Sequence, residues 1–269
     1  MKTRIAAMVI ALAALSLLAA CRAPSVAPGS RAIEPTVPPV AHTAPPMPTA
    51  IPADSFIVSR TSFTEMGLVW RACEVSAEGY TDWRQAEACL GHAAPAWSDE
   101  DGRRSGTRTE RGLRLTVDDD VYEVRDYDLN VLRWSTLTRN GWPVRVLPGG
   151  AMVHPPNISL RDVTGTVAWE FVGELEKTII YGGKDVRAPY DLDAAYRPYG
   201  IDGKLVFVGE KDGLRFVMVD GKRIGPEFDE IIVAYCCEPV MYSVRFGEGR
   251  YAFWGTRGGR HYVVELSSE

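Results

Sequence analysis

Three histidines, His92, His154 and His261, lie beyond residue 54, so any catalytic chemistry would have to be built around them or around carboxylates. None belongs to a His-Glu-x-x-His zinc motif. The nearest approach to a Gly-x-Ser-x-Gly nucleophile elbow, Gly102-Arg103-Arg104-Ser105-Gly106, carries its serine one position late. Neither a phosphate-binding glycine loop nor a dinucleotide fingerprint is present. Among the carboxylates, Asp118-Asp119-Asp120 could hold Ca²⁺. It separates the apolar runs Leu113–Val117 and Val121–Val124, however, and reads more simply as the solvated cap of a hairpin. Asp126-x-Asp128-x-Asn130 alternates oxygen ligands, but Val131 stands where a calcium loop needs its sharp-turn glycine. Glu227, Asp229 and Glu230 read as loop charge. No metal and no cofactor are expected.

Four cysteines fall after residue 54, namely Cys73, Cys89, Cys236 and Cys237. If the chain is exported they meet oxidising conditions, and an even number then favours disulfides. Pairing Cys73 with Cys89 would staple a short helix to the strand Leu68–Val75. That leaves the vicinal Cys236-Cys237 as a strained ring or as two buried thiols. Zinc is disfavoured by the spacing and by the scarcity of histidine. Of the seven tryptophans, Trp169 and Trp254 lie inside apolar strand runs and read as core. Trp142, directly after a hairpin turn, is the candidate for ligand contact, by stacking on a sugar face for example.

The elements that must position these residues begin with the N-terminus. Met1-Lys2-Thr3-Arg4 is followed by an apolar run from Ile5 to Ala20, which reads as a secretory signal. The run is shorter than the roughly 20 residues a membrane-spanning helix needs. Leu18-Ala19-Ala20-Cys21 resembles the lipobox of bacterial lipoproteins. That resemblance implies cleavage before Cys21 and lipidation of its thiol, and Arg22 in the next position favours an outer membrane wherever the cell has two. Residues 22–54 hold nine of the 18 prolines and read as an extended tether. The segments expected are thus a signal peptide over 1–20, a lipid-anchored Pro-rich tether over 21–54, and a folded domain over 55–269, within which 55–127 could form a separate subregion. Removing Lys2, Arg4, Arg22, Arg31, Glu34 and Asp54 leaves 26 basic against 33 acidic residues in that domain. This balance argues against a nucleic-acid partner.

Within the domain the best helical candidate is Asp82–Leu90, with Thr81 or Asp82 as its cap and Gly91 as its stop. The rest consists of short β-branched and aromatic runs cut by glycine turns, an all-β signature. Asn140-Gly141, Gly182-Gly183 and Asp220-Gly221 are two-residue hairpin signals whose second glycines lie 42 and 38 residues apart. A second series, Gly165-Thr166-Val167-Ala168-Trp169, Gly203-Lys204-Leu205-Val206-Phe207 and Gly249-Arg250-Tyr251-Ala252-Phe253, is read as marking the strand that opens each unit. Periods near 40 with several strands per unit predict a propeller-like stack of about four to five antiparallel sheets. Leu214–Val219 is apolar on nearly both faces, as a sheet covered on both sides would be. The stretch Gly203–Ile231, with its repeated Asp-Gly-Lys text, resembles the WD-repeat-like β-propeller repeats of bacterial TolB-type proteins. In that family's pattern a Ser-Pro-Asp-Gly opener is common; here it is reduced to Asp202-Gly203.

Anchor, repeats and the lack of a local catalytic motif together lead to one functional expectation: a lipid-anchored extracytoplasmic binding or scaffolding lipoprotein of the bacterial envelope, with a protein or glycan partner. The alternative is a surface hydrolase of polysaccharide or peptidoglycan that draws its two carboxylates from different repeats.

Overall fold

Among the described residues, nineteen strands and the helix Trp83–Leu90 follow from the turn-punctuated text, and the strands form four antiparallel sheets. The structure, a computed structural model, describes residues 57–96, 101, 103–110, 112–129, 132–148, 159–173, 176–233 and 244–268. All of them lie in the compact unit Ala50–Glu269. Cys21, the tether, Trp97, Asn130, Val131, His154, Cys236 and Cys237 lie outside the described residues.

Strands β1 (Ile57–Glu65) and β2 (Leu68–Val75) form a hairpin and are followed by α1 (Trp83–Leu90). Sheet I holds β3 (Thr107–Thr109), β4 (Gly112–Val117), β5 (Asp120–Leu129), β6 (Leu132–Arg139) and β7 (Trp142–Pro148) in simple meander order. Sheet II holds β8 (Ser159–Val163), β9 (Thr166–Val172), β10 (Lys177–Tyr181) and β11 (Lys184–Asp185). Sheet III holds β12 (Ala194–Ile201), β13 (Lys204–Lys211), β14 (Leu214–Val219) and β15 (Lys222–Phe228). The chain then returns to its own beginning. Strands β16 (Glu230–Ile231), β17 (Arg245–Gly247), β18 (Arg250–Arg257) and β19 (Arg260–Ser268) join β1 and β2 in sheet IV, where β19 pairs β2 from Leu68↔Ser268 to Val75↔His261.

Four apolar clusters show how the sheets are layered. Leu115, Val124 and Leu137 of sheet I pack on Leu160, Trp169 and Phe171 of sheet II. The other face of sheet II, with Ala168 and Ile179, meets Leu205, Phe207 and Met218 of sheet III. Sheet III presents Val206, Val208 and Val217 to Leu68, Trp70, Phe253 and Leu266 of sheet IV. On its far face sheet IV buries Cys73, Trp254 and Val263 under Trp83, Ala86 and Leu90 of α1. The order is therefore sheet I, II, III, IV, helix. Among the described residues no apolar cluster spans sheets I and IV.

This layering explains the composition of the strands. Positions 167–172 and 194–199 are buried without interruption because both faces of sheets II and III are covered. Strand β4, at the end of the stack, alternates instead. Glycine is required where layers approach most closely: at Gly225, with φ +65°, an added Cβ would lie 2.6 Å from the Trp70 ring of the facing sheet.

Each expected hairpin is present, with positive φ at Asn140-Gly141, Gly182-Gly183 and Asp220-Gly221, as type I′ turns require. The second glycine series needs correction. Thr164-Gly165, Asp202-Gly203 and Glu248-Gly249 are themselves turns of this kind, and the strands that follow them, β9, β13 and β18, are preceded in their own sheets by β8, β12 and β17. The series marks the hairpins β8–β9, β12–β13 and β17–β18, not strands that open a sheet. Helix α1 starts and ends where the sequence placed it. Asp82 accepts a hydrogen bond from the Arg84 N–H at 3.0 Å, and Gly91 closes the helix at φ +80°. Cys73 of β2 and Cys89 of α1 form a disulfide, with Cα atoms 6.0 Å apart.

Candidate functional site

Directly opposed residues in antiparallel strands point to the same side of the sheet. In sheet I one such row runs Leu115, Tyr122, Arg139, Trp142 across β4, β5, β6 and β7. Leu115 is buried against sheet II, so the whole row faces sheet II. Moving outward along the row, burial gives way to exposure. Leu115 is core, Tyr122 is half-buried, and Trp142 is 78% exposed. The two sheets diverge here, leaving a cleft of about 390 Å³ whose lining includes Asp118, Asp120, Tyr122, Arg139 and Val144 from sheet I. On the sheet II side the wall is mainly backbone, formed by Gly165, Thr166, Val167 and the Gly182-Gly183 turn.

The two glycines are there for steric reasons. A Cβ on Gly183 would sit 3.0 Å from a Val144 methyl, and the residue's φ of +82° is one that side chains disfavour. Val144 is brought to this place by a bulge in β7, where the register shifts between the Leu137 and Thr138 pairings. The polar wall is tied to itself. Arg139 Nη2 and Asn140 Nδ2 donate to the two oxygens of Asp120, the latter at 2.6 Å, while Asn140 Oδ1 accepts from the Val121 N–H at 2.9 Å. The Arg139 hydrogen bond holds the Asp120 carboxyl below its ordinary range. Arg139 also lies over the Tyr122 ring, 5.9 Å from its centroid.

Two further polar clusters lie elsewhere. Asp101, Arg161, Glu170, Arg197, Tyr199 and Tyr251 meet where sheets II, III and IV come together. Glu170 Oε1 accepts from the Arg197 N–H at 2.6 Å, Tyr251 OH donates to Arg197 O at 2.9 Å, and Tyr199 OH donates to Asp101 at 2.7 Å. These bonds hold Arg197 at φ +55°, beside the irregularity in β12. Burial draws Arg161 down to about 10, which still leaves it charged at neutral pH. Two acids offset two bases, and the adjoining cavity of about 20 Å³ has room for a water molecule. The cluster is a brace for the fold.

The second cluster centres on Glu265 of β19, which is fully buried. Its cross-strand neighbour Arg71 lies 3.5 Å away, His92 Nε2 lies 3.1 Å away and Arg250 lies 3.7 Å away. His92 Nδ1 is 2.7 Å from Arg250 Nη1 and accepts from that guanidinium, while its Nε2 faces Glu265. These contacts tie the loop after α1 to sheet IV. Desolvation raises the Glu265 pKa against the opposing pull of His92 and the arginines. A carboxyl whose folded pKa is raised contributes stability below its unfolded value, and that contribution is lost as pH rises through the folded value. Glu265→Gln, which mimics the protonated state, should therefore be more stable than the parent chain at pH 7. That advantage should shrink towards pH 4.5, as read from paired urea titrations.

Sequence reasoning reached part of this. Trp142 is exposed, as expected, and Trp169 and Trp254 are core. Asp118 and Asp119 form a hairpin turn, and Asp126 lies within β5, where it accepts from Ser135. Among the described residues no group of three or more His, Cys, Asp or Glu could hold a metal ion. The Glu170 and Glu265 clusters were missed, although a lone glutamate inside Val-Ala-Trp-Glu-Phe-Val or Val-Val-Glu-Leu was a readable signal. A scan against protein-family models and a search of curated proteins found no match.

Proposed function

We propose that this chain is a lipid-anchored binding module of the bacterial envelope, held by Cys21 on its Pro-rich tether, which presents the cleft between sheets I and II to a ligand or partner outside the cytoplasm. The observation that carries this reading is the row Leu115–Tyr122–Arg139–Trp142, which leads from a buried core edge through an open, polar cleft to an exposed indole on the same face of the sheet. Function is commonly carried on turns set in a rigid frame, and here the frame includes the sheet that unites the two ends of the domain. The Cys73–Cys89 disulfide agrees with an oxidising compartment.

The hydrolase reading asks for one carboxyl kept protonated at neutral pH beside a second. Asp120 is shifted in the opposite direction and does not fit the protonated role.

Metabolic labelling with a palmitate analogue tests the anchor. The full-length protein should carry label and fractionate with membranes, and Cys21→Ala should lose both. An unlabelled parent protein in the soluble fraction would contradict the reading.

A further inference from the structure

We infer that the cleft between sheets I and II recognises a neutral, polyhydroxylated ligand, a glycan segment, with Trp142, next along the same row, as the stacking platform and Asp120 and Arg139, braced by Asn140, as the hydrogen-bonding wall. This rests on the binding-module reading and names the ligand class of the same site.

Each part of the cleft narrows the chemistry. The wall is not apolar, so a lipid chain or a greasy peptide would desolvate Asp120 and Arg139 without return. Asp118 and Asp120 both line it, which places negative charge against an anionic ligand such as a phosphate. A basic peptide would find one carboxylate, Asp118, since Asp120 is already held by Arg139 and Asn140. What that network still offers is mixed. A carboxylate has about four lone-pair sites and a guanidinium five N–H groups. Tying Asp120, Asn140 and Arg139 to one another leaves further acceptor and donor capacity pointing in fixed directions. A hydroxyl both donates and accepts, so an array of neighbouring hydroxyls matches this wall better than a ligand with groups of a single kind.

The remaining features act in the same sense. The Trp142 indole is 78% exposed on the cleft side of the sheet, where it offers a flat apolar surface to the C–H face of a sugar ring. On the sheet II side of the cleft, Gly165, Gly182 and Gly183 carry no side chains, so a wide, flat ligand can approach backbone there. The volume of about 390 Å³ lies at the small end of ligand sites, which suits one or two sugar rings of a longer chain that runs out of the cleft.

The test is titration calorimetry of the full-length lipidated protein in a sugar-free detergent, using chitohexaose, cellohexaose, maltohexaose and hexalysine as probes. At least one neutral hexasaccharide should bind, Trp142→Ala should weaken it by about 10-fold or more, and Trp142→Phe should retain most of the affinity. Because Trp142 is exposed, the alanine variant should keep the parent circular dichroism and unfolding temperature. The inference is overturned if all three sugars fail, if sugar binding ignores Trp142→Ala, or if hexalysine is the probe that binds and depends on Trp142. Failure of all three sugars while position 142 still photocrosslinks to an envelope protein in cells would remove the glycan and leave the binding-module reading standing.

Discussion

Trp254→Ala should lower the stability of the folded domain by about 3–5 kcal/mol, the range for truncating a large buried aromatic. Trp254 has no exposed surface, and its indole meets Trp83 and Tyr80 edge-on, with ring centroids 5.5 and 5.7 Å away. It lies in the cluster between sheet IV and α1. An eight-residue helix is too short to persist alone, so α1 depends on this docking. Removing the indole deletes both the floor of the cluster and part of the reason for the helix. For a domain of this size the loss corresponds to a fall in Tm of roughly 6–20 °C. Trp254→Phe is the informative control. Among the described residues the indole Nε1 has no hydrogen-bond partner, so the phenyl ring removes a buried unsatisfied donor while keeping most of the packing. Its cost should stay below about 1.5 kcal/mol. Calorimetry of the two variants side by side would separate packing from polarity, and equal losses would refute the assignment.

Loss of the Cys73–Cys89 disulfide should cost about 3 kcal/mol, from the entropy its closed loop removes from the unfolded chain. Cys73→Ser, Cys89→Ser and the double variant should therefore unfold roughly 6–12 °C below the parent. Cys73 is 2% exposed, so reductant should act slowly on the folded protein and fast once α1 lifts. The disulfide and Trp254 support the same helix, and their effects should be less than additive when combined. A Cys73→Ser, Trp254→Ala chain that loses the full sum would show that helix and sheet are stabilised independently, against the packing described here.

How far the amino-acid text reaches is clearest at particular residues. Turn chemistry is strongly local, and Asn140-Gly141 or Asp220-Gly221 announces a hairpin because few other pairs accept positive φ twice. Met66-Gly67, Thr164-Gly165 and Glu248-Gly249 make the same turn with first residues that carry no such signal. Their conformation is imposed by strand pairing on either side. The double-sided burial of Leu214–Val219 was legible, since an uninterrupted apolar strand needs two covers. Division by the repeat length allowed a fifth sheet. The described residues form four, because β1 and β2 complete the sheet of β18 and β19. Pairing between residues some 190 positions apart leaves no mark on local sequence.

The candidate site shows the same division. Trp142 stood out because an indole directly after a type I′ turn has little to bury it. Arg139 and Tyr122 did not, since their role comes from sharing a cross-strand row, and the row exists only once β5, β6 and β7 are in register. Asp120 and Asn140 read as turn residues; Asn140 is one, and Asp120 is the first residue of β5. Asp120 also lines the cleft, where Asn140 holds it across 20 residues of chain.

The central claim is that the open row on sheet I is where this protein meets its ligand. Site-specific photocrosslinking in intact bacteria tests it most directly, with benzoylphenylalanine placed at Trp142 and, as control, at Val58, which is 64% exposed on β1 of sheet IV. The account predicts a discrete adduct with envelope material from position 142 and none from position 58. Equal labelling at both positions, or an adduct from 58 alone, would contradict it.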